Sequence, residues 1–66
     1  MPFVQVSIVE GFSEEEQRRL LTALTDAVVT SLEIPEQKVA VVLHKVPADA
    51  WAAGGVPVSE LQAPAQ

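Results

Sequence analysis

The chain has 66 residues, a formal net charge of −5 and no cysteine. That length makes one small domain, 1–66, which buries too little of its own surface to be stable by a wide margin. Without cysteine it has neither disulfides nor thiolate metal sites to hold it together. The four basic residues, Arg18, Arg19, Lys38 and Lys45, are outnumbered by nine acidic ones and scattered along the chain, so the basic face that displaces counterions from nucleic acid is excluded. No apolar run approaches a membrane span. No basic segment followed by an apolar stretch marks a signal peptide. His44 is the single histidine, which excludes a histidine-rich metal cluster. The expectation is a cytoplasmic protein with no metal, no cofactor and no nucleic-acid or membrane partner. Hydrophobic residues are 48% of the chain, a large apolar supply for so small a body, and that predicts an oligomer.

Residues 2 to 9 read as a strand, with Val4, Val6 and Ile8 on one face and Gln5 and Ser7 on the other. Glu10-Gly11-Phe12 breaks the pattern. Ser13 is a good N-cap, and Glu16 three residues later completes a capping box. Glu14, Glu15 and Glu16 complement the positive end of the helix that follows. That helix is predicted from Glu14 to Leu32. Its stripe is Leu20, Leu21, Leu24, Ala27, Val28, Ser31 and Leu32, with Glu15, Arg18, Arg19, Thr22 and Asp26 largely in solvent. Pro35 disfavours helical geometry at Ile34.

Val39 to Val46 is the second strand. It is apolar on both faces, the mark of a strand covered on both sides. One helix covers one side only, so another subunit is expected on the other. Strand, helix and strand make a right-handed βαβ unit with parallel strands. Pro47 to Ala50 reads as a loop, and Gly54-Gly55 as a tight turn. Val56-Pro57-Val58 reads as a short edge strand or one arm of a hairpin, because Pro57 cannot donate to a ladder. Residues 61–66 read as a flexible tail. The fold class is α+β or α/β.

The residues now on the page resemble the 4-oxalocrotonate tautomerase family. Met1-Pro2, the Val4-x-Val6-x-Ile8 strand, Glu10-Gly11-x-Ser13, the long helix, Ser31-Leu32 followed by Pro35, the apolar second strand and Trp51-x-x-Gly54-Gly55 fall in its order and spacing. The match runs over residues 2 to 55 without a gap. It implies a hexamer built as a trimer of dimers, acting on a small-molecule substrate. It implies that the amine of Pro2, exposed once Met1 is removed, is the general base of keto-enol chemistry. A desolvating pocket disfavours the ammonium form of such an amine, and nearby positive charge pushes the same way, which tunes the base toward the working pH.

Family members that handle dicarboxylates use two arginines, one after the Glu-Gly pair and one in the second strand. Here those positions are Phe12 and Ala40, both candidate lining residues. The aromatic at the pocket wall is Trp51, which could equally serve as a core or interface anchor. Lys38 precedes Ala40 by two residues, so strand alternation puts both on one face. An ammonium there could partly replace a missing arginine; a solvated lysine at a strand start is the plainer reading. His44 shares that face and reads as polar surface, and Glu10 as a solvated turn carboxylate. Two functions follow. One is a Pro2-dependent tautomerase for a conjugated oxo or enol substrate that is not a typical dicarboxylate. The other is a non-catalytic or partner subunit of a mixed hexamer, in which another chain supplies arginines.

Overall fold

The computed structural model of the chain describes residues 1–61. The order is β1 (Phe3–Val9), α1 (Glu14–Leu32), β2 (Ala40–Val46), β3 (Ala52–Ala53), β4 (Val56–Pro57) and α2 (Val58–Leu61). Strands β1 and β2 pair in parallel, with Phe3 opposite Ala40 and Val9 opposite Val46. The βαβ unit is therefore as expected. Both strands begin one residue later than predicted, at Phe3 and Ala40 rather than Pro2 and Val39.

Helix α1 has the predicted bounds, and its ends show why. The Ser13 hydroxyl accepts from the Glu16 N–H at 3.1 Å, and the Glu16 carboxylate accepts from the Ser13 N–H at 2.9 Å. These bonds satisfy two donors that the first turn would otherwise leave open. At the other end Glu33 adopts a left-handed conformation, φ 54° and ψ 53°, and its N–H reaches the Val29 carbonyl at 2.8 Å. Pro35 then opens a short 3-10 turn, Glu36–Lys38, with the Lys38 N–H on the Pro35 carbonyl. Pro47 does the same ahead of Ala48–Ala50.

The helix lies on one face of the sheet. Val4, Val6 and Ile8 of β1 and Val41 and Leu43 of β2 are half-buried there. Gln17, Leu20, Leu21, Leu24, Thr25, Val28 and Val29 are the half-buried positions of α1. The stripe is thus rotated from the predicted one. Thr25 and Val29 join it, while Ala27, Ser31 and Leu32 are exposed in the single chain. Thr25 can face inward because its hydroxyl donates to the Leu21 carbonyl at 2.8 Å, so no polar atom is left unpaired.

The opposite face of the sheet is open. Phe3 is 56% exposed and Val42 38%. Among the described residues none is fully buried. The accessible surface, 4922 Å², exceeds the roughly 4,100 Å² of a compact monomer of this mass. The radius of gyration, 15.1 Å, exceeds the roughly 11 Å of a compact chain of this length. Beyond β2 the chain continues into an arm. There β3 and β4 pair antiparallel around Gly54 and Gly55, at φ +63° and +85°, the positive values that a two-residue hairpin turn demands.

Two expectations are corrected in the arm. Val58 is not strand; it opens α2, with its N–H on the Trp51 carbonyl at 2.6 Å. Pro57 stops the ladder and presets the turn into that helix. Leu61 closes α2 rather than beginning a tail. The rest of the expected tail, 62–66, lies outside the described residues. Among the described residues no helix is long and apolar enough to cross a membrane.

Candidate active site

Pro2 sits half-buried at the head of β1, and its carbonyl accepts from the Ala40 N–H at 3.1 Å. The parallel register sets Phe3 beside Ala40. A proline can hold this place because it only accepts here and needs no N–H for the ladder. Met1, ahead of it, is 91% exposed. Helix α1 runs antiparallel to the strands, so its C-terminal turn, the Pro35 turn and Lys38 come to this end of the molecule. Pro2, Lys38 and Ala40 are therefore brought together.

Lys38 stands just ahead of the strand from which alternation was drawn. It lies in the 3-10 turn that precedes β2, where the two-residue period of a strand does not run. His44 does share the face of Ala40, but it stands opposite Ser7. That is five positions along β1 from Pro2, on the order of 16 Å at strand rise.

Phe12 and Trp51 lie at the other end. Phe12 is 52% exposed and lines a groove of about 290 Å³ with Ile8, Glu16, Gln17, Arg19 and Leu20. Its carbonyl accepts from the Gln17 side-chain amide at 3.0 Å, which ties the loop to the helix. Ile8 is six positions from Pro2, roughly 20 Å along the strand. Trp51 follows the far end of β2, half-buried at the root of the arm. One chain thus keeps Pro2 apart from both aromatic candidates.

Arg19 is exposed, as expected from its place off the helix stripe, and also borders the Phe12 groove. The spacing Phe12, Glu16, Arg19, Leu20 runs along one side of the first turns of α1 and would have signalled it. Among the described residues no group of three or more His, Cys, Asp or Glu side chains is placed to hold a metal ion.

The chain matches the family model described as tautomerase enzyme over residues 2–61. It is 39% identical to a protein of Ralstonia nicotianae named as a probable tautomerase, over 97% of this chain and 91% of that one. It is 38% identical to the 2-hydroxymuconate tautomerase of Comamonas testosteroni, over 92% and 97%. Its structure superposes on a heterohexamer 4-oxalocrotonate tautomerase of Chloroflexus aurantiacus with a TM-score of 0.88, 30% identity and coverage of 92% and 98%. The half-buried proline at the head of a two-stranded parallel sheet, in a βαβ chain matched almost end to end, belongs to the tautomerase family of isomerases.

Proposed function

We propose that this tautomerase acts through the amine of Pro2, after removal of Met1, on a conjugated oxo or enol substrate with an apolar body. The free amine takes the proton of the enol oxygen, forming N–H as O–H breaks. The ammonium then returns it to a carbon of the conjugated system, forming C–H as N–H breaks. No other reactant is consumed. The observation that carries this reading is the position of Pro2 at the head of β1, half-buried and tied by backbone to Ala40. Desolvation of an amine disfavours its ammonium form, so a site closed over Pro2 would keep the amine available as a base.

The site is assembled from several copies of a hexamer. Phe12 and Trp51 stand too far from Pro2 in one chain to share a substrate with it, so the aromatic walls come from neighbours. The open sheet face, the arm and the absence of any fully buried described residue favour the same assembly. A two-stranded sheet with one helix is a poor monomer.

Phe12 and Ala40 offer a substrate apolar contact where guanidinium groups would pair carboxylates. A buried carboxylate without a partner carries a large desolvation penalty. The Comamonas relative is named for 2-hydroxymuconate, a dicarboxylate; this chain favours neutral or singly charged enols. Two measurements test the reading together. Sedimentation at micromolar concentration must show a particle several times the 7.1 kDa chain. Turnover of a simple enol such as phenylenolpyruvate must vanish when an N-terminal extension blocks Pro2.

The loss of both arginines favours a second reading, a partner subunit in a mixed hexamer. The likeness to a heterohexamer supports it. A pure preparation that assembles, has Pro2 at its N-terminus and turns over no enol until a second, arginine-bearing chain is added would select it.

A further inference from the structure

The Phe12 groove carries a cation. Its apolar lining is Ile8, Phe12 and Leu20, and its polar lining is Glu16, Gln17 and Arg19. Of the four basic residues in the chain, only Arg19 borders it. Helical spacing accounts for the placement: Glu16, Arg19 and Leu20 fall on one side of α1, the side that borders the groove with Phe12. The other two polar groups are already engaged. The Glu16 carboxylate accepts from the Ser13 N–H at 2.9 Å, which holds it at the helix start, and the Gln17 amide donates to the Phe12 carbonyl at 3.0 Å. The side-chain hydrogen bonds among the described residues do not include Arg19.

We infer that Arg19 sets the substrate class of this tautomerase: its guanidinium pairs the single carboxylate of an enol whose apolar body lies on Phe12. The inference deepens the proposed function and rests on its reading of Phe12 as a wall of the site. The occupant follows from the lining. An apolar groove with a planar cation at its edge fits a small molecule with an apolar body and one carboxylate. A guanidinium takes a carboxylate through parallel N–H bonds, a geometry that an ester or amide does not match. A second carboxylate finds no further cation in the groove and meets Glu16 instead, at a like-charge cost. A neutral enol leaves the guanidinium unused. The expected order is monocarboxylate above neutral enol, with the dicarboxylate below the monocarboxylate. The carboxylate keeps its charge through the proton transfer, so Arg19 holds ground state and transition state alike.

The test compares phenylenolpyruvate with the enol of its methyl ester, in wild type, Arg19→Gln and Arg19→Lys, each as the full chain after removal of Met1. Wild type should prefer the acid. Arg19→Gln should raise KM for the acid by about tenfold, the loss of one charge-assisted pair, with kcat held and the ester unaffected. Arg19→Lys keeps the charge without the fork and should fall between. Equal losses for acid and ester overturn the inference, since Arg19 would then serve the fold. So does an unchanged KM for the acid. So does a sedimentation profile altered in Arg19→Gln, which would make Arg19 an assembly residue. A wild type that turns over neither enol sinks the Pro2 reading, and binding then decides this one. Cinnamate, titrated by calorimetry, should bind wild type about tenfold more tightly than Arg19→Gln, while cinnamamide should not distinguish the two. Cinnamate that binds both alike, or neither, overturns the inference.

Discussion

The two ends of the strand pair are held by different means. At the Phe12 end the loop is pinned by side chains: the reciprocal Ser13–Glu16 bonds and the Gln17 amide on the Phe12 carbonyl. At the Pro2 end the hydrogen bonds among the described residues are backbone ones. The Ala40 N–H meets Pro2, the Lys38 N–H meets Pro35, and Glu33 closes the helix in a left-handed conformation. Among the described residues, the end with the proposed base thus shows no side-chain hydrogen bond, while the end with the proposed wall is fixed by its own side chains. A site shared between copies suits this division. In the proposed assembly one copy would bring a pre-shaped wall and another the half-buried Pro2.

The largest effect expected from breaking the comparison is at Pro2. Pro2→Ala keeps an amine but makes it primary and less constrained. A positioned general base supplies roughly 10²- to 10⁴-fold in rate, so kcat for an enol should fall by at least about tenfold. The sedimentation profile should not change, since the Pro2 carbonyl that Ala40 uses remains. Undiminished kcat would end the proline mechanism.

Next in size is charge at the two ends. Phe12→Arg with Ala40→Arg should raise kcat/KM for a dicarboxylate enol by about tenfold or more, because a hydrogen bond to a charged group contributes about 1.5–3 kcal/mol. A neutral enol should gain little. The division between ends sharpens this test. Mixed particles made from Pro2→Ala chains and chains carrying both arginines should show the full dicarboxylate gain only where an unaltered Pro2, with Ala40→Arg of its own chain, meets a neighbour's Phe12→Arg. A wild type that already prefers the dicarboxylate would show that another cation, Lys38 or Arg19, pairs the carboxylates.

Much of the Phe12 end was legible in the sequence. Ser13 and Glu16 announce the helix start, and Gly54-Gly55 the hairpin, because these residue types do one local job well. The Pro2 end was harder. Lys38 was set on the face of Ala40 by running strand alternation back past the strand start, where the chain is a 3-10 turn. Pro35 did mark the helix end, but its further effect, presetting that turn, shows only once the backbone is traced. Pro47 hides a second such turn in the same way. The α2 helix was missed because four residues carry too little periodicity, although Pro57 followed by Ser59 and Glu60 is a helix-start pattern. Whether Phe12 and Trp51 reach Pro2 was never legible in one chain, since the answer depends on neighbours.

A smaller effect tests the pinned end. Ser13→Ala removes the hydroxyl that accepts from Glu16 and should lower stability by about 1 kcal/mol. It should also loosen the Phe12 loop. A fall in kcat/KM without a change at Pro2 would show the wall acting through its own rigidity. Thermal melts and enol kinetics at one protein concentration read both effects, since melting of an assembly depends on concentration.

The smallest effect is at the backbone-held end. Glu33 has a Cβ in a left-handed conformation, φ 54°, which is unfavourable by roughly 1–2 kcal/mol relative to a residue free to adopt it. Its carboxylate also stands at the negative end of the helix dipole, where the last turn has no basic residue. Glu33→Gly relieves both, but gives the unfolded chain extra freedom worth about 0.5–1 kcal/mol. The net gain should be about 0.5 kcal/mol, a few degrees in melting temperature for a domain of this size. Glu33→Gln separates the causes: it removes the charge and keeps the Cβ. The expected order of stability is Gly above Gln above Glu. If Gln equals Gly, the dipole accounts for the gain and the left-handed strain is slight. If Gly falls below Glu, the helix end at the Pro2 side is held by its side chain after all, and the contrast between the two ends fails.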